Sequence, residues 1–192
     1  SFYFFLNNLI YFPDKINPDE ATVQYELLSN RNENHPYNEL GKSLLDALKE
    51  VKIGKRFIDF NAPDLNGRSV NLSSEIQGKV ALLNLWATWC GPCVKKTREI
   101  IPIYEEYKNK GFVVIGVAGE FKSTEKLERF LEKEKWPWKN LVELDRQNSI
   151  WQKYGVDSGG GGMFLIDESG ELLSINPDPE EIRKVLERKQ MH

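Results

Sequence analysis

Cysteine, histidine and methionine are scarce: two of each stand in 192 residues. Two cysteines are too few for a disulfide framework. With His35 and the terminal His192 as the only histidines, a four-ligand metal site cannot be assembled either, so no metal is expected. No stretch approaches the roughly 18–20 apolar residues that a bilayer span requires. Charge of one sign is also missing. Lys and Arg number 26 against 29 Asp and Glu, a net charge of −3. That mixture offers no basic face for nucleic acid and no basic amphipathic stretch for a membrane surface. What remains is ordinary globular material, 40% hydrophobic and 11% aromatic, long enough for one substantial core or for one domain with an appendage.

The chain opens at Ser1 rather than methionine, as expected of a processed or shortened form. Its first twelve residues are apolar but have no basic leader, and Asn7-Asn8 interrupts them, which argues against a retained signal peptide. Residues 1–52 read as a helical extension, the end of a larger domain or a packing appendage. Phe4, Leu6, Leu9 and Ile10 could share a face before Pro13 stops the pattern, and Asn17-Pro18-Asp19-Glu20 resembles a helix start followed by Val23, Leu27 and Leu28. Leu40, Leu44, Leu45 and Leu48 give a third amphipathic segment.

From residue 53 to the end the pattern is that of a second unit. Phe57-Ile58-Asp59-Phe60 alternates, and Asn66-Gly67 lies between Leu65 and the alternating Val70 and Leu72, a strong hairpin signal. Residues 80–86 are nearly all apolar, as in a strand buried on both faces. A helix is expected from about Cys90 to Lys110, with Val94, Ile101, Tyr104 and Tyr107 along one side and Gly111 ending it. Residues 112–118 repeat the buried-strand pattern. Ser123 is placed to cap a helix whose Leu127, Phe130 and Leu131 face inward, and a short helix is expected around 148–154. Residues 163–167 and 172–175 read as a hairpin, and Asp178-Pro179-Glu180-Glu181 starts a closing helix with Ile182, Val185 and Leu186 inward. These elements predict an α/β protein, a central mixed β-sheet flanked by helices.

The two cysteines stand three apart in Trp89-Cys90-Gly91-Pro92-Cys93, where the first buried strand meets its helix. Thiols at that spacing can close or open a small ring, so the pattern points to thiol–disulfide exchange. At a helix start, free backbone N–H groups and the dipole favour a thiolate, with a pKa anywhere from about 3.5 to about 7.5 in such motifs. Cys90 is expected to be the exposed, attacking thiolate and Cys93 the more buried, resolving one. Gly91 is read as permitting a tight entry, and Pro92 suits the first helical turn. Trp89 is a candidate for the face that meets a partner, and Trp86 for the core. The inert alternative, a static disulfide, would close too small a ring to add much stability. Direction of electron flow is not carried by the spacing, since CxxC proteins range from about −270 to about −120 mV.

The run Asn84-Leu85-Trp86-Ala87-Thr88-Trp89-Cys90-Gly91-Pro92-Cys93, with Phe164-Leu165-Ile166-Asp167 and the earlier Ala62-Pro63-Asp64-Leu65-Asn66-Gly67-Arg68, resembles the thioredoxin-like oxidoreductases of the TlpA/ResA type. The likeness covers about residues 53–190. The segment before it is similar to the N-terminal extensions of Bacteroidetes-type members. The resemblance implies a thioredoxin fold with an N-terminal β-hairpin. It also implies protein thiols and disulfides as partners, an upstream dithiol donor, no cofactor beyond the Cys90–Cys93 pair, and a periplasmic or extracytoplasmic setting with an anchor preceding residue 1.

Three departures from that family stand out. Its cis-proline falls here in the run 159–162, most nearly at Gly161 beside Gly162, so a trans and more flexible loop is expected. Its helix-kinking proline is replaced by Arg98, with Pro102 a turn later. Lys96 stands where many members have glutamate; Asn84, as in many members, takes the place of the buried aspartate of classical thioredoxins. Asn84 cannot relay a proton. Two other functions stay open. One is a peroxiredoxin-like peroxidase, although the proline and threonine it needs are Leu83 and Ala87. The other is a binding module with a non-catalytic CxxC.

Overall fold

The computed structural model describes residues 1–12, 15–31, 33–156 and 160–190. Three helices come first: α1 (Phe2–Tyr11), α2 (Pro18–Arg31) and α3 (Asn38–Glu50). They enclose their own apolar cluster of Phe2, Phe5, Leu6, Leu9, Ala21, Leu44 and Leu45. The inward faces differ from the expected ones in two helices. Phe4 of α1 is exposed and Phe2 and Phe5 are buried instead, while Val23 and Leu27 of α2 face solvent and Ala21 packs inward. Leu28, the third residue of the expected α2 face, does pack against the cluster, with Tyr25 beside it.

A short antiparallel hairpin follows, β1 (Asn61–Pro63) with β2 (Ser69–Asn71). It lies C-terminal to the alternating residues 57–60, which are not a strand. Leu72, read as strand, instead opens α4 (Leu72–Ile76), because the Asn71 side chain accepts the Ser74 N–H and caps a helix there.

The central sheet has the order β5-β4-β3-β6-β7. In it β3 (Val80–Trp86), β4 (Phe112–Glu120) and β5 (Lys139–Leu144) run parallel, and β6 (Gly162–Ile166) and β7 (Leu172–Ile175) add an antiparallel edge. Every residue of β3 is buried, as its apolar run requires. Strand β5 was not foreseen. Its Asn140 and Glu143 broke the apolar pattern, yet both are buried and satisfied: Asn140 accepts the Trp86 indole N–H at 3.0 Å, and Glu143 accepts the Ile150 and Trp151 N–H groups.

Helix α5 (Gly91–Tyr107) buries Cys93, Val94, Thr97, Ile100, Ile103 and Tyr107. The expected Ile101 and Tyr104 sit at the margin of that face. Pro102 lies inside the helix, and Arg98 forms an ion pair with Glu134 at 2.8 Å. The N-cap of α6 (Glu125–Glu134) is Thr124, one residue after the expected Ser123. Helix α7 (Ile150–Lys153) follows. The closing α8 (Pro179–Gln190) starts as expected, with Asp178 accepting the Glu181 N–H at 2.8 Å, and it packs on α5.

Candidate active site

The β3–α5 junction sits at the C-terminal end of a central parallel strand, where open α/β sheets leave a crevice. Cys90 is the N-cap of α5 and is joined to Cys93 in a disulfide across the first turn. The Cys93 N–H points at Cys90 Sγ at 3.3 Å, so a helix N-terminal donor already faces that sulfur. Pro92 sits in the first turn, where its missing N–H costs no helical bond. The expected difference in burial between the two cysteines is absent: Cys90 is 7% and Cys93 9% exposed. Trp89 and the loop 160–162 line the same cleft as both cysteines, and Gly161 approaches Cys93 Sγ. What distinguishes the thiols is therefore their donors and not their depth.

The loop opposite is built on close approach. The Gly161 N–H donates to Cys93 Sγ at 3.1 Å. A Cβ on Gly161 would lie 2.1 Å from the Leu85 carbonyl oxygen and 2.8 Å from Cys93 Sγ, so only glycine allows this contact. At Gly162 a Cβ would come within 2.9 Å of Val156. Peptide bonds are trans throughout the described residues. Gly159, the first of the four glycines, lies outside those residues. Gly91 differs from its expected role: a Cβ there would meet nothing within 4 Å, so what it leaves open is surface beside the disulfide.

Beneath the disulfide, buried Asn84 donates from Nδ2 to Thr97 Oγ1 at 2.9 Å, and the Thr97 hydroxyl donates to the Cys93 carbonyl at 2.8 Å. The chain fixes the first turn of α5 to β3. Trp89 is 42% exposed, donates its indole N–H to the Gly119 carbonyl at 3.0 Å and stacks beside Phe121. Trp86 is wholly buried. A cleft of about 330 Å³ opens over these groups, lined by Asn84, Trp89, Cys90, Gly91, Pro92, Cys93, Lys96, Gly161, Gly162 and Asn176 among others.

Two participants were not read from the sequence. Glu120, buried at the C-terminal end of β4, accepts the Thr88 N–H at 2.7 Å and the Thr88 hydroxyl at 2.9 Å, and so holds the loop that leads into Cys90. Its place at the end of a parallel strand beside the motif is the signal that could have found it. Asn176 accepts the Met163 N–H at 3.0 Å and closes the cleft behind the glycines. Among the described residues no cluster of three or more His, Cys, Asp or Glu could hold a metal ion.

The AhpC/TSA family matches residues 53–175, and those bounds contain the hairpin, the disulfide and the glycine loop. The chain belongs to the AhpC/TSA family, as a thiol–disulfide oxidoreductase of the TlpA/ResA type. It is 30% identical over 125 residues to a ResA thiol–disulfide oxidoreductase of Bacillus thuringiensis, covering 65% of this chain and 69% of that protein. To the ResA of Geobacillus kaustophilus it is 33% identical over 129 residues, with the same coverage of 65% and 69%. Its fold is similar to the thioredoxin domain of a thiol–disulfide oxidoreductase from Bacteroides vulgatus, with a TM-score of 0.62 at 24% identity, covering 71% of this chain and 96% of that one. This TlpA/ResA-type chain thus has the thioredoxin fold that the motif implies. No described helix is long and apolar enough to cross a membrane.

Proposed function

We propose that the Cys90–Cys93 pair exchanges electrons with disulfides of other proteins, Cys90 attacking and Cys93 resolving. The observation that carries this reading is the disulfide across the first turn of α5, with a helix N-terminal N–H on Cys90 Sγ and the Gly161 N–H on Cys93 Sγ, under an open cleft. In the reduced protein the Cys93 N–H and the helix dipole favour a thiolate on Cys90. That thiolate attacks one sulfur of the substrate disulfide, forming a mixed disulfide and releasing the first substrate thiolate. Cys93, having lost its proton, attacks Cys90 Sγ. The internal disulfide reforms, and the second substrate thiol leaves with both electrons. A separate dithiol donor resets the pair, and no further cofactor is needed.

Supporting roles follow from contacts. Trp89 offers an apolar platform beside Cys90, Gly91 and Pro92 keep the approach open, Gly161 and Gly162 present backbone to the partner, and Asn84 holds the first turn. Residues 1–52 form a helical extension to a thioredoxin-like domain at 53–192, a division supported by the two separate apolar clusters. The family resemblance favours a periplasmic or extracytoplasmic site of action. Against a peroxidase stand Leu83 and Ala87, buried and without a hydroxyl for a peroxide.

Insulin reduction with dithiothreitol as donor tests the reading. The protein should turn over, and Cys90→Ser and Cys93→Ser should not. Absence of turnover with every dithiol donor would leave a binding module. Peroxide consumption that depends on Cys90, without insulin reduction, would favour the peroxidase.

A further inference from the structure

A second and larger groove, of about 740 Å³, lies between the N-terminal helices and the sheet. It is not separate from the disulfide cleft: Gly160, Gly161, Gly162 and Asn176 line both. Its lining also includes Ile175 at the end of β7, Ile53 after α3 and Tyr11 of α1. These three side chains are 37%, 66% and 69% exposed, an unusual amount of large apolar surface for one depression. Lys52 is the only charged side chain among its described lining residues.

We propose that this groove receives the extended, apolar stretch of polypeptide that flanks the reacting cysteine of the substrate. The proposal rests on the reading of the cleft as a site of protein disulfide exchange. The argument is continuity. A substrate sulfur at Cys90 brings its own backbone over the glycine floor, and the chain leaving that floor enters a groove lined by Ile175, Ile53 and Tyr11, with Lys52 the one charged side chain among the described lining residues. Since successive residues of an extended chain alternate sides, every second side chain can reach the apolar wall. The N-terminal extension then works as half of a substrate site, selecting unfolded or extended apolar segments over small disulfides.

The test compares two glutathione mixed disulfides with the pre-reduced protein in single turnovers followed by tryptophan fluorescence. One peptide carries Leu and Val on either side of its cysteine, and the other carries Ser and Gly there. Each reaction consumes the Cys90–Cys93 dithiol and yields the internal disulfide, free glutathione and free peptide thiol. The apolar peptide should react about tenfold faster than the polar one, and Ile53→Asp, a substitution at an exposed side chain, should bring the ratio of the two rates close to one. Equal rates for the two peptides in the unmodified protein, or a ratio that Ile53→Asp leaves intact, overturns the proposal while leaving exchange itself established. A dimer dissolved by Ile53→Asp with the ratio unchanged assigns the groove to a second copy and also overturns it. No reaction with either peptide removes the exchange reading on which it rests.

Discussion

Gly161 shows how much one missing side chain decides. Its N–H reaches Cys93 Sγ because nothing separates its backbone from the Leu85 carbonyl oxygen, which a Cβ would meet at 2.1 Å. The opposing atom is backbone and cannot rotate away. Gly161→Ala should therefore cost about 1–3 kcal/mol, read as a lowered urea midpoint, and should slow disulfide exchange as the loop withdraws from Cys93. From the sequence this glycine was visible only as an unusual occupant of a proline position, and flexibility was the property inferred from it. Its actual property, close approach, depends on Leu85 and Cys93 together, which lie far from it in the chain. The near-equal burial of Cys90 and Cys93 was unreadable in part for the same reason, since Gly161, which approaches Cys93 Sγ, lies far from it in the chain.

The elements divide by whether their polar residues agree with their burial. Strand β3 and helices α5 and α8 were legible because apolar period, cap and breaker all pointed one way. Strand β5 was not, since Asn140 and Glu143 read as surface until Trp86, Ile150 and Trp151 supply their partners. Burial pushes the Glu143 carboxyl above its ordinary range against those N–H donors. Glu120 at the end of β4 clamps Thr88 through two hydrogen bonds. Glu120→Ala leaves the Thr88 N–H unsatisfied and should cost about 1–3 kcal/mol. Hydrogen exchange at Thr88 should accelerate, with the sheet amides less affected.

Over the whole molecule, acid sensitivity should come in part from carboxyls that tie turns together. At Asp59 partial burial pushes the pKa up, but hydrogen bonds from Ser73, Asn71 and Phe60 outweigh it, and the carboxyl is held below its ordinary value. Asp167 behaves alike: burial is outweighed by bonds from Ser169 and Glu171. A group with a depressed folded pKa binds fewer protons in the native state. Its contribution is present above the unfolded value of about 3.9 and is lost as pH falls through the folded one. Urea midpoints of the unmodified protein and of Asp59→Asn should differ at pH 6, and the difference should shrink as pH falls below the unfolded value of about 3.9. A difference that persists in acid would contradict the assignment.

The central claim is that Cys90 attacks and Cys93 resolves, and covalent trapping tests it most directly. Each single Cys→Ser variant is mixed with a peptide disulfide, and the adduct is read by mass spectrometry. Cys93→Ser should hold a stable mixed disulfide on Cys90, and Cys90→Ser should form little or none. An adduct on Cys93 in the Cys90→Ser variant, with none on Cys90 in the other, would contradict the account.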